Sequence, residues 1–198
     1  MNHTAVIVPK LRFSEPRHNL PGRKGIATPE DHFTIAFMRA YLDQAAAIHY
    51  RSRKTKLAFA REIPVNGYGI ADLCVVAWDQ MPGEMFPDAT SFIKVARPCT
   101  RAFECKLMDW RRAIAQANRY RFFANQAFVV LPEYACSRAL VCIETFKMIN
   151  LGLWSFSRDT GLITPHYTPR ARHAISERYN LHVIESVAHA SRQSLLIP

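Results

Sequence analysis

From Thr28 onward apolar residues recur every three to four positions. Phe33, Ala36, Phe37, Ala40 and Tyr41 form one stripe, which predicts a helix running to about Ile48. Thr28-Pro29-Glu30-Asp31 suits its start: a hydroxyl cap, a proline in the first turn, and two acids at the positive end of the helix dipole. From Leu57 to Val65 the pattern changes to alternation, which predicts a strand. Asn66-Gly67-Tyr68-Gly69 supplies a turn and Ile70 to Trp78 a second, strongly apolar strand, so residues 57–78 read as a hairpin. Pro82, Gly83, Pro87 and Pro98 mark residues 79–98 as a long loop. A third strand is predicted over 101–107 and a short buried strand over 128–131. Between them a helix capped by Asp109 runs from Trp110 to about Asn125. A helix over 134–148, a last strand over 151–157 and a closing helix over 174–189 complete the pattern. The order is αβββαβαβ plus a C-terminal helix. It predicts an α/β fold with a central mixed sheet flanked by helices across 28–161, a basic irregular arm over 1–27, and a helical extension over 162–198 packed on the core.

Length and composition fit that picture. A chain of 198 residues, about half of them apolar, suffices for one domain with a sizeable core. The balance of 26 Lys plus Arg against 16 Asp plus Glu, with Arg outnumbering Lys 19 to 7, raises the weight of a polyanionic partner, because the planar guanidinium donates two parallel hydrogen bonds to phosphate. No apolar run is long enough for a membrane span and the apolar start, Ala5 to Val8, is too short for a leader, so a cytoplasmic protein without membrane attachment is expected. Cys74, Cys99, Cys105, Cys136 and Cys142 are odd in number and form no Cys-x-x-Cys pair; they read as reduced, mostly buried thiols. The histidines are scattered, and His49, His166 and His173 read as surface or satisfied core residues rather than as zinc ligands.

The chemistry concentrates in three places. On a strand, Glu104 and Lys106 of Phe103-Glu104-Cys105-Lys106-Leu107 share a face, so a carboxylate and an ammonium are held side by side. Asp72 lies inside an apolar strand, where an acid is costly unless paired or metal-bound. If the second strand neighbours the third, Asp72 and Glu104 converge. Gln116 and Tyr120, four apart, share one face of the next helix, among Arg111, Arg112, Arg119 and Arg121.

Asp72, then Glu104-Cys105-Lys106, then Gln116-x-x-x-Tyr120, resembles the PD-(D/E)XK nuclease-like (restriction-endonuclease-like) superfamily, and the Gln/Tyr element is similar to that of its helicase-associated exonuclease domains. The resemblance spans roughly residues 30–157. It implies a restriction-endonuclease-like core and a divalent-metal-dependent deoxyribonuclease. Asp72 and Glu104 would bind Mg²⁺ or Mn²⁺, the backbone carbonyl of Cys105 would be a further ligand, and Lys106 would position the attacking water. Gln116 and Tyr120 would support the site or touch DNA. Some family members carry an additional acid upstream, for which Glu62 is favoured over Glu30. His32 is similar to a helix histidine of some exonuclease branches, and solvent exposure explains it as well. Ala71 stands where the family name has proline, and the Asp72–Glu104 gap is long, making 79–98 an insertion.

Each piece alone is common; the ordered set on matching elements gives it weight. DNA is the expected partner, with RNA left open, and Arg111, Arg112, Arg119, Arg53 and Lys54 are candidate contacts. Two other readings stand beside the nuclease: a non-catalytic DNA-binding module, and a protein-interaction module on the same scaffold, as a homodimer or as a subunit of a larger DNA-processing complex.

Overall fold

A computed structural model describes residues 28–48, 55–79 and 88–193. The basic arm over 1–27, His49, and the candidate contacts Arg53 and Lys54 lie outside the described residues. Helix α1 (Pro29–Ile48) starts where its cap predicts: the Asp31 N–H donates to Thr28 Oγ1 and the Thr28 N–H donates back to Asp31 Oδ2. Strands β1 (Thr55–Val65) and β2 (Gly69–Asp79) form the hairpin. Then follow α2 (Ala89–Ala96), β3 (Cys99–Cys105), α3 (Trp110–Tyr120), β4 (Gln126–Pro132), α4 (Glu133–Leu140), α5 (Ile143–Met148), β5 (Gly152–Phe156), β6 (Ile163–Tyr167) and α6 (Glu177–Gln193).

The six strands form one mixed sheet in chain order, β1 to β6. β1, β2 and β3 pair antiparallel, β3–β4 and β4–β5 parallel, and β5–β6 antiparallel. The fold is therefore α/β, with helices on both faces. Against one face α1 packs Phe33, Phe37, Met38 and Tyr41 onto Phe103, Phe128, Trp154 and Phe156. The other face is covered by Ala113, Ala117 and Tyr120 of α3, Phe92 of α2, Phe146 of α5 and Val183, Ile184 and Val187 of α6.

The structure departs from the sequence expectation at several places. The 79–98 stretch is not all loop: Asp88 accepts the Ser91 N–H at 2.7 Å and starts α2, whose Phe92 is buried. α3 ends at Tyr120 because Phe123 and Ala124 donate to the Tyr120 carbonyl in a tight turn. The helix expected over 134–148 is broken at Val141–Cys142. Residues 151–157 are not the last strand, since β6 adds an edge that tolerates Pro165. The closing helix begins at Glu177 rather than Ala174, because Ile175 and Ser176 donate to the carbonyls of Arg121 and Phe122 instead of to a helical partner.

Candidate active site

The site forms where β2 and β3 part. Their pairing ends at Leu73 opposite Phe103. Two residues further along β3 the Cys105 N–H, which a continuing ladder would take, donates instead to Asp72 Oδ2 at 2.8 Å. β3 stays with β4: Cys105 pairs with Val130, and the Lys106 N–H donates to the Val130 carbonyl at 3.1 Å. A side chain thus replaces a backbone partner, and its acid is fixed at the mouth of the gap.

Glu104 points to the face that α3 covers and is 1% exposed. Lys106 Nζ lies 2.9 Å from Glu104 Oε1, while Tyr120 sets its hydroxyl against Oε2. The same hydroxyl lies 2.7 Å from the Ile70 carbonyl, so one phenolic proton faces two acceptors. Lys106 Nζ also reaches Cys105 O at 3.4 Å and Glu30 Oε1 at 3.3 Å. Glu30 belongs to the first turn of α1, so a helix and a strand meet at one ammonium.

Burial, and then the charge of Glu104, push the Asp72 carboxyl up to about 7, against the lowering effect of the Cys105 N–H and of Lys106. Burial alone would lower the Lys106 ammonium, but Glu104, with Asp72 and Glu30 behind it, holds it above the ordinary lysine value. Burial and the charge of Glu104 raise the Tyr120 phenol, which stays protonated. A buried acid, Glu104, and a half-buried one, Asp72, share one neighbouring ammonium, which leaves the site short of positive charge.

The expected residues fall as follows. Asp72, Glu104, Lys106 and Tyr120 are brought together. Gln116 is on the same α3, and its Oε1 is buried without a hydrogen-bond partner among the described residues. Arg112 lines a cleft of about 450 Å³ with Glu30, Lys106 and Asp109. Arg111 lies over the Trp110 ring at 4.5 Å, and Arg119 is exposed on the side of α3 next to Gly69. Glu62 takes φ +53° and lies 3.7 Å from Arg61, whereas Glu30 is the upstream acid that reaches Lys106. His32 is exposed. All five cysteines are free, and burial raises the thiols of Cys74, Cys99, Cys105 and Cys136. His166 lies 2.9 Å from Ser155 Oγ, a satisfied polar pair, and His173 is exposed.

Among the described residues no group of three or more His, Cys, Asp and Glu side chains is arranged to hold a metal ion. What Asp72, Glu104 and the Cys105 carbonyl offer is an all-oxygen donor set, the kind that suits a hard divalent cation keeping several waters. Among the described residues no helix is long and apolar enough to cross a membrane.

No family model and no curated protein matches the chain. Among solved structures, it is similar to the SPO1766 protein of unknown function from Silicibacter pomeroyi, at 15% identity and a TM-score of 0.46, over 78% of this chain and 86% of that one.

Proposed function

We propose that this protein is a nuclease of the restriction-endonuclease-like class that hydrolyses DNA phosphodiester bonds with a divalent metal ion. The observation that carries the reading is the junction of β2 and β3, where Asp72 takes the Cys105 N–H while Glu104 and Lys106 meet next to it. Asp72, Glu104 and the Cys105 carbonyl would hold Mg²⁺ or Mn²⁺. When bound, the ion would offset charge on the non-bridging oxygens and make a bound water more acidic. Glu30, 3.3 Å from Lys106, would add an acid to this edge of the site.

Lys106 acts as a donor, not as a base. Its ammonium is held protonated by Glu104, so it orients the attacking water and opposes the charge that grows on the phosphate. Tyr120 holds Glu104 in place from α3. Arg112, on the wall of the adjoining cleft, offers a bidentate contact to a phosphate on the way in.

The test incubates purified protein with linear, circular and single-stranded DNA, and with RNA, in Mg²⁺, Mn²⁺ or chelator. Wild type is expected to cut only with metal, and Asp72→Asn and Lys106→Ala to lose more than about 100-fold of the rate, the scale set by removing one transition-state contact. Equal cleavage by wild type and Lys106→Ala overturns the catalytic assignment. DNA binding without cleavage in any metal makes the protein a binding module instead.

A further inference from the structure

A basic surface lies at the other end of β3 from the candidate active site. A groove of about 970 Å³ opens beside Cys99, at the start of β3, between α2 and the chain that leads into α6. The active site is at the opposite end of β3, six residues or about 20 Å away at the rise of a strand. Lys94, Arg97, Arg172 and His173 line the groove and are exposed; Glu177 is the acid among its lining residues.

Two features mark the groove as built rather than incidental. The first is that its irregular wall is fixed. The Arg172 N–H donates to the Asn125 carbonyl at 3.0 Å, and Asn125 Nδ2 donates back to the Arg172 carbonyl at 2.9 Å. Ile175 and Ser176 are tied to the end of α3, and Asn180 Nδ2 donates to the Phe123 carbonyl at 2.7 Å. Arg172 and His173 are therefore presented on a backbone held by reciprocal bonds, although no helix or strand carries them. The second is Arg97. It closes α2 in the left-handed conformation, φ +46°, a position that glycine occupies without steric cost. An arginine there accepts local strain to place its guanidinium at the groove.

We infer that this groove binds the phosphodiester backbone of a nucleic-acid strand, remote from the cleavage centre. Three cationic side chains, Lys94, Arg97 and Arg172, with His173 and one acid, Glu177, along a concave wall complement a row of phosphates, and phosphate contacts of this kind position a strand without reading its sequence. The inference rests on the nucleic-acid reading above for the identity of the polyanion, but not on cleavage. A strand engaged at both places must span at least about 6 base pairs of duplex at 3.4 Å each.

The experiment measures binding of fluorescently labelled DNA, duplex and single-stranded, by anisotropy in chelator across a salt series. The double variant Arg97→Gln/Arg172→Gln is expected to bind at least 10-fold more weakly, with the salt slope of log K reduced by about 2 because two phosphate contacts are lost. Arg97→Lys/Arg172→Lys is expected to restore most of the affinity. Arg97→Gly separates strain from binding: its melting temperature should rise while its affinity falls. An unchanged affinity and salt slope in the double glutamine variant overturns the proposal, as does an Arg97→Gly protein that binds as well as wild type. Because these readings are taken without metal, a protein that never cuts DNA leaves the binding result intact, and one that cuts but shows no loss in the variants refutes the groove alone.

Discussion

The Asp72 carboxylate accepts the backbone N–H of Cys105 at 2.8 Å, at the point where β2 and β3 cease to pair. That bond ties one candidate ligand to the residue whose carbonyl is another and whose neighbour, Glu104, is the third. The acid cannot rotate away without leaving a backbone donor unpaired in a half-buried place, so the geometry persists whether or not a cation is present. The cost appears in the titration of Asp72.

Burial and Glu104 raise the Asp72 carboxyl to about 7, above the value of about 4 for a free aspartate. The native state then holds its proton more tightly than the unfolded chain. This contribution to stability is complete below the unfolded value and is lost as pH rises through about 7. In chelator, wild type should therefore melt at a lower temperature at pH 8 than at pH 5, and Asp72→Asn should lose most of that slope. Mg²⁺ or Mn²⁺ should raise the wild-type melting temperature more at pH 8 than at pH 5, since the ion competes with the proton. A flat profile in wild type, or an equal slope in Asp72→Asn, refutes the assignment.

Lys106 is the ammonium that faces Glu104, and the carboxylate is 1% exposed. Removing the ammonium leaves a buried charge without its partner, a loss of about 3–5 kcal/mol in comparable pairs. Lys106→Ala should be destabilised to that order in urea, and adding Glu104→Gln should recover part of the loss by removing the unpaired charge. Both proteins should be inactive. A double variant no more stable than Lys106→Ala would show that the ammonium stabilises through packing rather than charge.

The outline of this site was legible because strand alternation and helix spacing are local. Glu104 falls on the face that α3 covers, and Gln116 and Tyr120 lie one turn apart on that helix. Long-range consequences were hidden. Glu62 adopts φ +53°, and across it the positions in one core layer shift from Ala58 and Ala60 to Ile63 and Val65. No pattern in the sequence announces that turn, and none shows that the first turn of α1 brings Glu30 to Lys106. Helix α2 was masked by the prolines on either side of it. β6 was masked by Pro165 and by the polar residues of an edge strand. The wall formed by 171–176 depends on bonds to the end of α3, which only the folded chain supplies.

Gly152 tests the core beneath the site. A Cβ added there would clash with the Cδ1 edge of the Phe128 ring, with Cε1 2.9 Å and Cγ 3.0 Å away. The ring has little room to move, because it stacks on Phe103 at 4.8 Å and meets Trp154 at 4.7 Å. Gly152→Ala should cost about 1–3 kcal/mol, the range for overpacking a dense interior, read as a lower urea midpoint at unchanged slope. Combining it with Phe128→Leu should recover part of the loss. If Gly152→Ala is as stable as wild type, the β4–β5 contact is looser than described.

Tyr120 and Gln116 share a helix face but are satisfied differently. The Tyr120 hydroxyl serves the Ile70 carbonyl and Glu104, both inside the fold. Gln116 Oε1 is buried with no hydrogen-bond partner among the described residues. Tyr120→Phe should therefore cost about 1–3 kcal/mol of stability by stranding buried acceptors, together with about 10- to 100-fold of cleavage, the scale for groups that orient ligands. Gln116→Ala strands nothing in the free protein, so its stability should stay within about 1 kcal/mol of wild type while its cleavage falls. That contrast separates a residue holding the site from one waiting for substrate. Were Gln116→Ala as unstable as Tyr120→Phe and fully active, Gln116 would be a packing residue and the Gln/Tyr pair would have no joint role.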